Sequence, residues 1–181
     1  MTTSIRRGTL QDVPEIMAIV RAVVPLMHAQ DNYQWGDKNR DGIFYPNEEA
    51  FVGDATDGTL WVVEGPMAEG GRTCVLAAAA LTVDQPEEYG GAGLDLSVPA
   101  VVPHRLAVHP AMHGRGLARQ LFQKAEGLAR ECGWSKVRVD TSTRNAAMNA
   151  LIDKLGYVQH GEFTFDGKAE GMRFTAYEKS L

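Results

Sequence analysis

The residues with the clearest chemical potential lie in the segment Arg105–Arg119, which reads RLAVHPAMHGRGLAR. A strand pattern stops at Pro110, and a helical pattern begins within Gly114–Gly116. Glycines let a backbone approach a ligand closely, and the unpaired amides and positive dipole end of a helix start attract anions. The dipole alone contributes only about 0.3 to 1 kcal/mol, so several amides would have to act together with Arg115 and Arg119. The segment predicts a diphosphate site.

Other interpretations of the glycine turn are open at this point. A dinucleotide site would use Asp140, which ends the next predicted strand, at the place of a ribose-binding acid. However, Ala118 and Arg119 leave no third glycine at the fingerprint spacing, and the unit follows an apparent antiparallel hairpin. A Walker-type loop is excluded because no Gly-Lys-Ser/Thr follows. A tight strand-to-helix connection that binds nothing is the remaining alternative.

The periodicity of the flanking segments predicts the elements that hold this turn. The predicted helices are Thr9–Met27, Asn47–Gly53, Gly114–Cys132 and Asn145–Leu155, the last closed by Gly156 as a left-handed cap. The predicted strands are Ser4–Arg7, Leu60–Glu64, Thr73–Val83, Ala100–Val108, Lys136–Asp140, Tyr157–Phe165 and Met172–Glu178. Loops are predicted at Asn32–Pro46, Glu64–Arg72 and Gln85–Pro99. This order predicts an α/β fold, a mixed sheet covered by helices.

Composition narrows the class of protein. The chain has 181 residues, 44% of them hydrophobic and 23% charged, which predicts one folded domain spanning residues 1–181. The net charge is −5 and no run of Lys or Arg forms an obvious nucleic-acid-binding stripe, so nucleic acid is not an expected partner. No apolar run is long enough for a membrane span, no secretory leader is visible, and only two cysteines occur. We therefore expect a cytoplasmic protein.

The anion-binding segment resembles motif A of the GNAT family of N-acetyltransferases, which reads Gln/Arg-x-x-Gly-x-Gly/Ala at a helix start. The matching residues here are His113-Gly-Arg-Gly-Leu-Ala118, with His113 at the Gln/Arg position. A second segment is similar to the family's Asn...Leu-x-x-Lys-x-Gly-Phe/Tyr pattern, and its matching residues are Asn145, Leu151, Lys154, Leu155, Gly156 and Tyr157. The order of elements is also similar along nearly the whole chain. The resemblance implies one domain with a mixed, mostly antiparallel sheet of about six to seven strands and about four helices.

The resemblance further implies acetyl-CoA as co-substrate. The strand backbone at Leu106, Ala107 and Val108 would pair with the pantetheine arm, while the side chains of Leu106 and Val108 are expected in the core. Backbone amides would hold the pyrophosphate; they belong to His113, Gly114, Arg115, Gly116, Leu117, Ala118 and Arg119. Asn145 would contact the pantetheine or phosphate region, with the role of a helix N-cap as the alternative.

Transfer to a primary amine requires a proton acceptor, because a free amine costs roughly 4.6 kcal/mol at neutral pH. His104 is the first candidate, since it lies four residues before Val108, and the arylalkylamine N-acetyltransferases look similar here, with a catalytic His at that offset. Glu88 is the second candidate and would act through water. Purely structural roles are the alternatives for both. Many relatives carry an acidic Tyr at the position matched here by Ile152, so that acid is missing.

The acceptor is expected near the predicted loop that follows the first helix. Asn32, Tyr33, Gln34, Trp35 and Tyr45 form a polar and aromatic group, for which simple surface packing is the alternative. Asp140 and Thr141 end a central strand and are expected to hydrogen-bond the acceptor, with ordering of the next turn as the other reading of Asp140.

The function predicted is transfer of an acetyl group to an amine of a small molecule or a peptide. A non-catalytic acyl-CoA-binding domain is the rival, because the Tyr is missing and His113 departs from the motif. No metal is expected, since His109 and His113 lack a completing ligand set, and Cys74 and Cys132 are expected to be buried. A dimer is common among such proteins.

Overall fold

The computed structural model describes residues 2–36, 44–166, 168 and 171–181. The predicted loop Asn32–Pro46 therefore falls partly on residues 37–43, outside the described residues. The described strands are β1 (Ser4–Arg7), β2 (Leu60–Pro66), β3 (Thr73–Thr82), β4 (Val102–Val108), β5 (Lys136–Ser142), β6 (Val158–Phe163) and β7 (Phe174–Ser180). The described α-helices are α1 (Val13–His28), α2 (Glu48–Thr56), α3 (Glu88–Gly91), α4 (Leu117–Glu131) and α5 (Ala146–Lys154).

This architecture confirms the predicted α/β fold. The described strands form two sheets, with the orders β1-β2-β3-β4 and β5-β7-β6. The pairings of β1 with β2, β2 with β3, and β7 with β5 and β6 are antiparallel, and an isolated parallel bridge joins Val101 to Val137. The predicted loop Gln85–Pro99 contains the short helix α3.

The chain divides into two compact units, each described here by itself. The first, called unit 1, comprises residues 2–26, Pro46–Thr82 and Pro103–Lys124. Its strand β3 is buried almost throughout, because the run Val75–Thr82 is nearly continuously apolar, as in a central strand. Asn47 caps α2 by accepting a hydrogen bond from the Ala50 amide at 2.9 Å.

The second compact part, called unit 2, comprises residues 27–45, Val83–Val102 and Ala125–Leu181. Its hydrophobic cluster joins α3 to β6 and β7 through Tyr89, Ala92, Leu94, Val102, Phe163, Phe174 and Ala176. Arg138 is buried and pairs with Glu178 at 2.7 Å, while its guanidinium also donates to Gln85 and to the Val98 carbonyl. These contacts fasten the segment around α3 to β5. That the whole chain is one domain stays a prediction.

Two burial expectations were wrong. Cys132 is exposed, because it follows the last turn of α4 instead of facing the core. Cys74 is half-buried. Leu106 and Val108 are half-buried, and Ala107 between them is buried. None of the described helices is long and apolar enough to span a bilayer.

Candidate functional site

The glycine turn of unit 1 connects β4 to α4. A 3₁₀ turn at Pro110–Met112 follows the strand, and Gly114 and Gly116 then take φ values of 75° and 79°. Both values lie in the left-handed region, which glycine adopts at little cost. The residues 113–116 are exposed. The turn is tight, and the residues directly before α4 lie at the surface.

Backbone amides in this turn divide into two groups. The amide of His113 donates to the Pro110 carbonyl at 3.2 Å, and that of Arg115 to the Met112 carbonyl at 3.4 Å. The first turn of α4 leaves its own amides, those of Leu117, Ala118 and Arg119, without partners inside the helix. An anion at the helix start would therefore meet those three amides and the glycine amides, while His113 and Arg115 shape the turn. The His113 ring also contacts the Val108 carbonyl, at 3.0 Å.

Strand β4 lies at the edge of its sheet, so one side of its backbone is not paired within that sheet. Its residue Arg105 has a φ of 51°, which is uncommon for a residue with a side chain. This left-handed residue disturbs the alternation of side chains along the strand, which is why Leu106 and Val108 do not enter the core as expected. His104, the predicted base, directly precedes it and is half-buried.

In unit 2 a hydrogen bond joins Tyr89, from the predicted loop Gln85–Pro99, to Asp140 on β5. The hydroxyl of Tyr89, which is fully buried, donates to Asp140 Oδ1 at 2.8 Å. Burial raises the pKa of Asp140 to about 6, against the lowering effect of the Tyr89 hydrogen bond, and the charge of Glu88 raises it further. Burial and the Asp140 charge raise the pKa of Tyr89 well above 10. The charge of Glu88, one predicted carboxylate, thus acts on Asp140, the other.

The end of β5 binds the segment that follows α1. Gln34 Oε1 accepts hydrogen bonds from Thr141 Oγ1 at 3.2 Å and from the Ser142 amide at 3.1 Å. Asn145 Nδ2 donates to Thr141 Oγ1 at 3.0 Å, and Asn145 Oδ1 accepts from the Met148 amide at 3.3 Å. Asn145 therefore occupies the N-cap position of α5, the alternative role expected for it. Thr141 is engaged by both neighbours.

The predicted aromatic group has different environments. Trp35 is buried, and its carbonyl lies 2.7 Å from His28 Nε2, so it anchors the segment. Tyr33 is exposed and packs against the His28 ring at 4.9 Å between ring centroids. Tyr45 is half-buried beneath Lys168 Nζ, 4.7 Å from the ring centroid. Of these three aromatic residues, Tyr33 and Tyr45 have surface available to a ligand.

Sequence reasoning missed two site features. Lys168 lies near Asp140 closely enough to lower its pKa and also donates to the Gln34 carbonyl at 3.0 Å. Asp54 pairs with Arg105 across 51 positions of sequence. Neither residue stands in a motif, so no local pattern could have indicated it. Within the described ranges, no group of three or more His, Cys, Asp and Glu side chains could hold a metal ion.

The arrangement of strands and helices around the glycine turn is that of an acetyltransferase. Comparisons with known proteins show the family. The sequence profile described as Acetyltransferase (GNAT) family matches residues 23–157. The chain belongs to this family, and the resemblance identified from motif A is confirmed. Family members are generally acetyl-CoA-dependent transferases. No relative was found among curated proteins.

Solved structures support the same fold. A GNAT acetyltransferase of Streptococcus agalactiae is 24% identical, with a TM-score of 0.75, covering 99% of this chain and 95% of its own. The yncA protein of Salmonella typhimurium, solved with its cofactor acetyl-CoA, is 20% identical with a TM-score of 0.66, covering 100% and 95%. A polyamine N-acetyltransferase of Drosophila melanogaster, which forms N-acetylagmatine, is 15% identical with a TM-score of 0.67, covering 99% and 100%. At these identities the likeness concerns the fold.

The raised pKa of Asp140 predicts how Asp140→Asn changes stability. An unfolded Asp titrates near 3.9, whereas folding raises the pKa of Asp140 to about 6, so the folded chain holds this proton more tightly. Stability from this group is present below pH 4 and is lost as pH rises through 6. We expect Asp140→Asn, which keeps an oxygen for Tyr89, to raise the free energy of unfolding by about 1 to 3 kcal/mol at pH 7.5 and little at pH 4.

Urea denaturation at several pH values measures this effect. Asp95→Asn is the opposite control, because hydrogen bonds from Ser97 lower the pKa of Asp95, so its stabilising effect is lost as pH falls. If Asp140→Asn is no more stable than the unaltered protein at pH 7.5, the ionised carboxylate of Asp140 does not destabilise the fold.

Proposed function

We propose that the protein transfers an acetyl group from acetyl-CoA to a primary amine of a small molecule or a peptide, by direct attack of the amine on the thioester. The observation that carries this proposal is the two-glycine turn at the start of α4, which follows directly on the edge strand β4. An edge strand followed at once by a glycine turn and a helix start suits a ligand with an extended amide arm and a diphosphate.

The donor would bind through backbone groups. The pantetheine amides would hydrogen-bond the backbone of Leu106, Ala107 and Val108, as an added strand does at a sheet edge. The pyrophosphate would lie against the amides of Gly114, Gly116 and the first turn of α4, with Arg115 and Arg119 supplying positive charge. We also propose, from the family motif, that Asn145 contacts the pantetheine or phosphate region while it caps α5.

The acceptor would bind to polar groups of unit 2. Asp140 and Glu88 attract a protonated amine, and Tyr33 and Tyr45 give it apolar surface; Trp35 would hold their segment in place, and Thr141 would fix the Gln34 side chain. During transfer a bond forms between the amine nitrogen and the acetyl carbon, the bond from that carbon to sulfur breaks, and coenzyme A leaves as a thiolate. Before the attack the bound ammonium gives one proton to a base, for which we propose His104 first and Glu88, through water, second. The second proton leaves the nitrogen after the attack and passes to the departing thiolate or to solvent.

An acceptor screen that measures coenzyme A thiol release tests the proposal. The panel would contain polyamines, amino acids, aminoglycosides and peptides with free N-termini, with acetyl-CoA as donor. We expect thiol release with at least one amine and none without an acceptor. Acetyl-CoA binding without release for any amine would favour the non-catalytic acyl-CoA-binding domain, which the Ile152 position motivates. Tighter binding of NAD(P) than of coenzyme A would favour a dinucleotide enzyme.

We also propose the domain organisation, the location, the partners and the oligomeric state of the protein. A single acetyltransferase domain, a cytoplasmic location, and no nucleic-acid or membrane partner accord with the composition, and a homodimer is proposed from the family resemblance. Size-exclusion chromatography with light scattering at several concentrations measures the oligomeric state directly.

A further inference from the structure

Strand β4 contains a backbone distortion at Arg105. Its φ of 51° places a residue with a side chain in the left-handed region, in the middle of a strand. The other described non-glycine residue of this kind, Asp31, lies in an exposed turn after α1. Such a conformation persists only where surrounding contacts hold it. The distortion at Arg105 therefore needs a structural cause.

The side chain of the same residue supplies that cause. Arg105 Nε donates to Asp54 Oδ2 at 2.8 Å, and Arg105 Nη2 donates to Asp54 Oδ1 at 2.5 Å. The two parallel hydrogen bonds form a bidentate pair, which fixes both distance and direction. The side chains of Arg105 and Asp54 are only 17% and 8% exposed, so solvent screens the pair weakly. Asp54 and Phe51 are the buried residues of α2, which presents this carboxylate to the strand.

A bend alone would not require this pair. Glycine takes a positive φ without a partner, as Gly114 and Gly116 do a few residues later. Arg105 instead adopts the unfavourable conformation while its side chain forms an ion pair with the buried carboxylate of Asp54 on α2. The position fixed in this way lies directly before Leu106–Val108, the backbone proposed to pair with the donor. The dihedral angles of Arg105 set the direction of the peptide groups that enter that stretch.

We propose that Asp54 is a positioning residue for acetyl-CoA: through its ion pair with Arg105 it holds the left-handed bend of β4, and so directs the edge backbone of Leu106–Val108 toward the pantetheine arm. This inference rests on the proposed function. Both residues of the pair belong to unit 1, which also contains the proposed donor strand, whereas the proposed acceptor residues belong to unit 2. We therefore expect loss of the pair to weaken binding of the donor and not binding of the acceptor.

Asp54→Asn and Arg105→Lys test the proposal, since each keeps a polar side chain but removes the bidentate ion pair. We expect the KM and the Kd for acetyl-CoA to rise about tenfold, and the KM for the acceptor to stay unchanged. Titration calorimetry with acetyl-CoA supplies the Kd without any turnover. The double variant Asp54→Asn/Arg105→Gly should recover part of the affinity, because glycine adopts the bend without a clamp.

A second bidentate pair in unit 1 provides the control. Arg6 donates to Asp12 through two hydrogen bonds of 2.8 Å, on β1 and the turn before α1, away from the proposed donor strand in sequence. Arg6→Lys and Asp12→Asn should lower the melting temperature but leave acetyl-CoA affinity unchanged. An equal effect of both pairs on affinity, or none from Asp54→Asn and Arg105→Lys in folded protein, overturns the proposal. If the unaltered protein fails to bind acetyl-CoA, the proposed function itself fails.

Discussion

Replacing His104 with glutamine is expected to lower kcat by about 10² to 10⁴, the usual contribution of a side-chain base. A primary amine is protonated at neutral pH, and removing its proton costs roughly 4.6 kcal/mol. An imidazole titrates close to the working pH, so it can accept this proton and free the lone pair with which the nitrogen attacks. His104 is half-buried on β4, two residues before the stretch proposed to bind the donor. Acetyl-CoA affinity should be kept, since that binding is assigned to backbone groups.

Steady-state kinetics across pH would check the assignment, with Glu88→Gln and His160→Gln measured beside it. His160 is a half-buried histidine on β6 of unit 2, outside every proposed site, and its replacement should leave kcat unchanged. If Glu88→Gln lowers kcat by this amount and His104→Gln does not, the base is Glu88. If neither variant is affected, water without a side-chain base accepts the proton.

Local elements of this fold could be predicted because their signals lie within a few residues. Asn47 and Asn145 cap the helices they precede, and Gly156 takes a φ of 81° after α5, as their types predict. The glycine turn is equally local: Pro110 ends the strand and two glycines supply the left-handed positions. For this reason the turn itself could be predicted from the amino-acid sequence alone.

The remaining features depend on contacts between distant parts of the chain. Tyr89 and Asp140 are 51 positions apart, and no spacing rule connects a loop tyrosine to a strand carboxylate. The same holds for Asp54 and Arg105, and this pair also explains a wrong prediction. Alternation along β4 placed Leu106 in the core, but a single left-handed residue disturbs the alternation that follows it. Sequence periodicity cannot show such a residue unless it is a glycine.

Gly116→Val is expected to weaken coenzyme A binding more than tenfold while the fold is kept. A Cβ at Gly114 or Gly116 would meet no heavy atom within 4 Å, so the free protein has space for the side chain. The backbone has no such freedom, because a left-handed residue with a side chain costs roughly 1 to 2 kcal/mol, and 1.4 kcal/mol is already tenfold in affinity. Relief of that strain would rotate the peptide and turn its amide away from the diphosphate. Titration calorimetry with coenzyme A measures the loss, and Gly114→Val should behave alike.

Gly133→Val separates this effect from general destabilisation. Gly133 follows the other end of α4, has a φ of 72° and also has no heavy atom within 4 Å of an added Cβ. The backbone strain is therefore matched, but the end of a helix offers carbonyl oxygens to a ligand and not amides, so no anion belongs there. Gly133→Val should lose stability to a similar degree and bind coenzyme A normally. Unchanged affinity in Gly114→Val and Gly116→Val, or an equal loss in all three variants, would contradict binding of the diphosphate by this turn, because only the α4 start combines the strain with exposed amides.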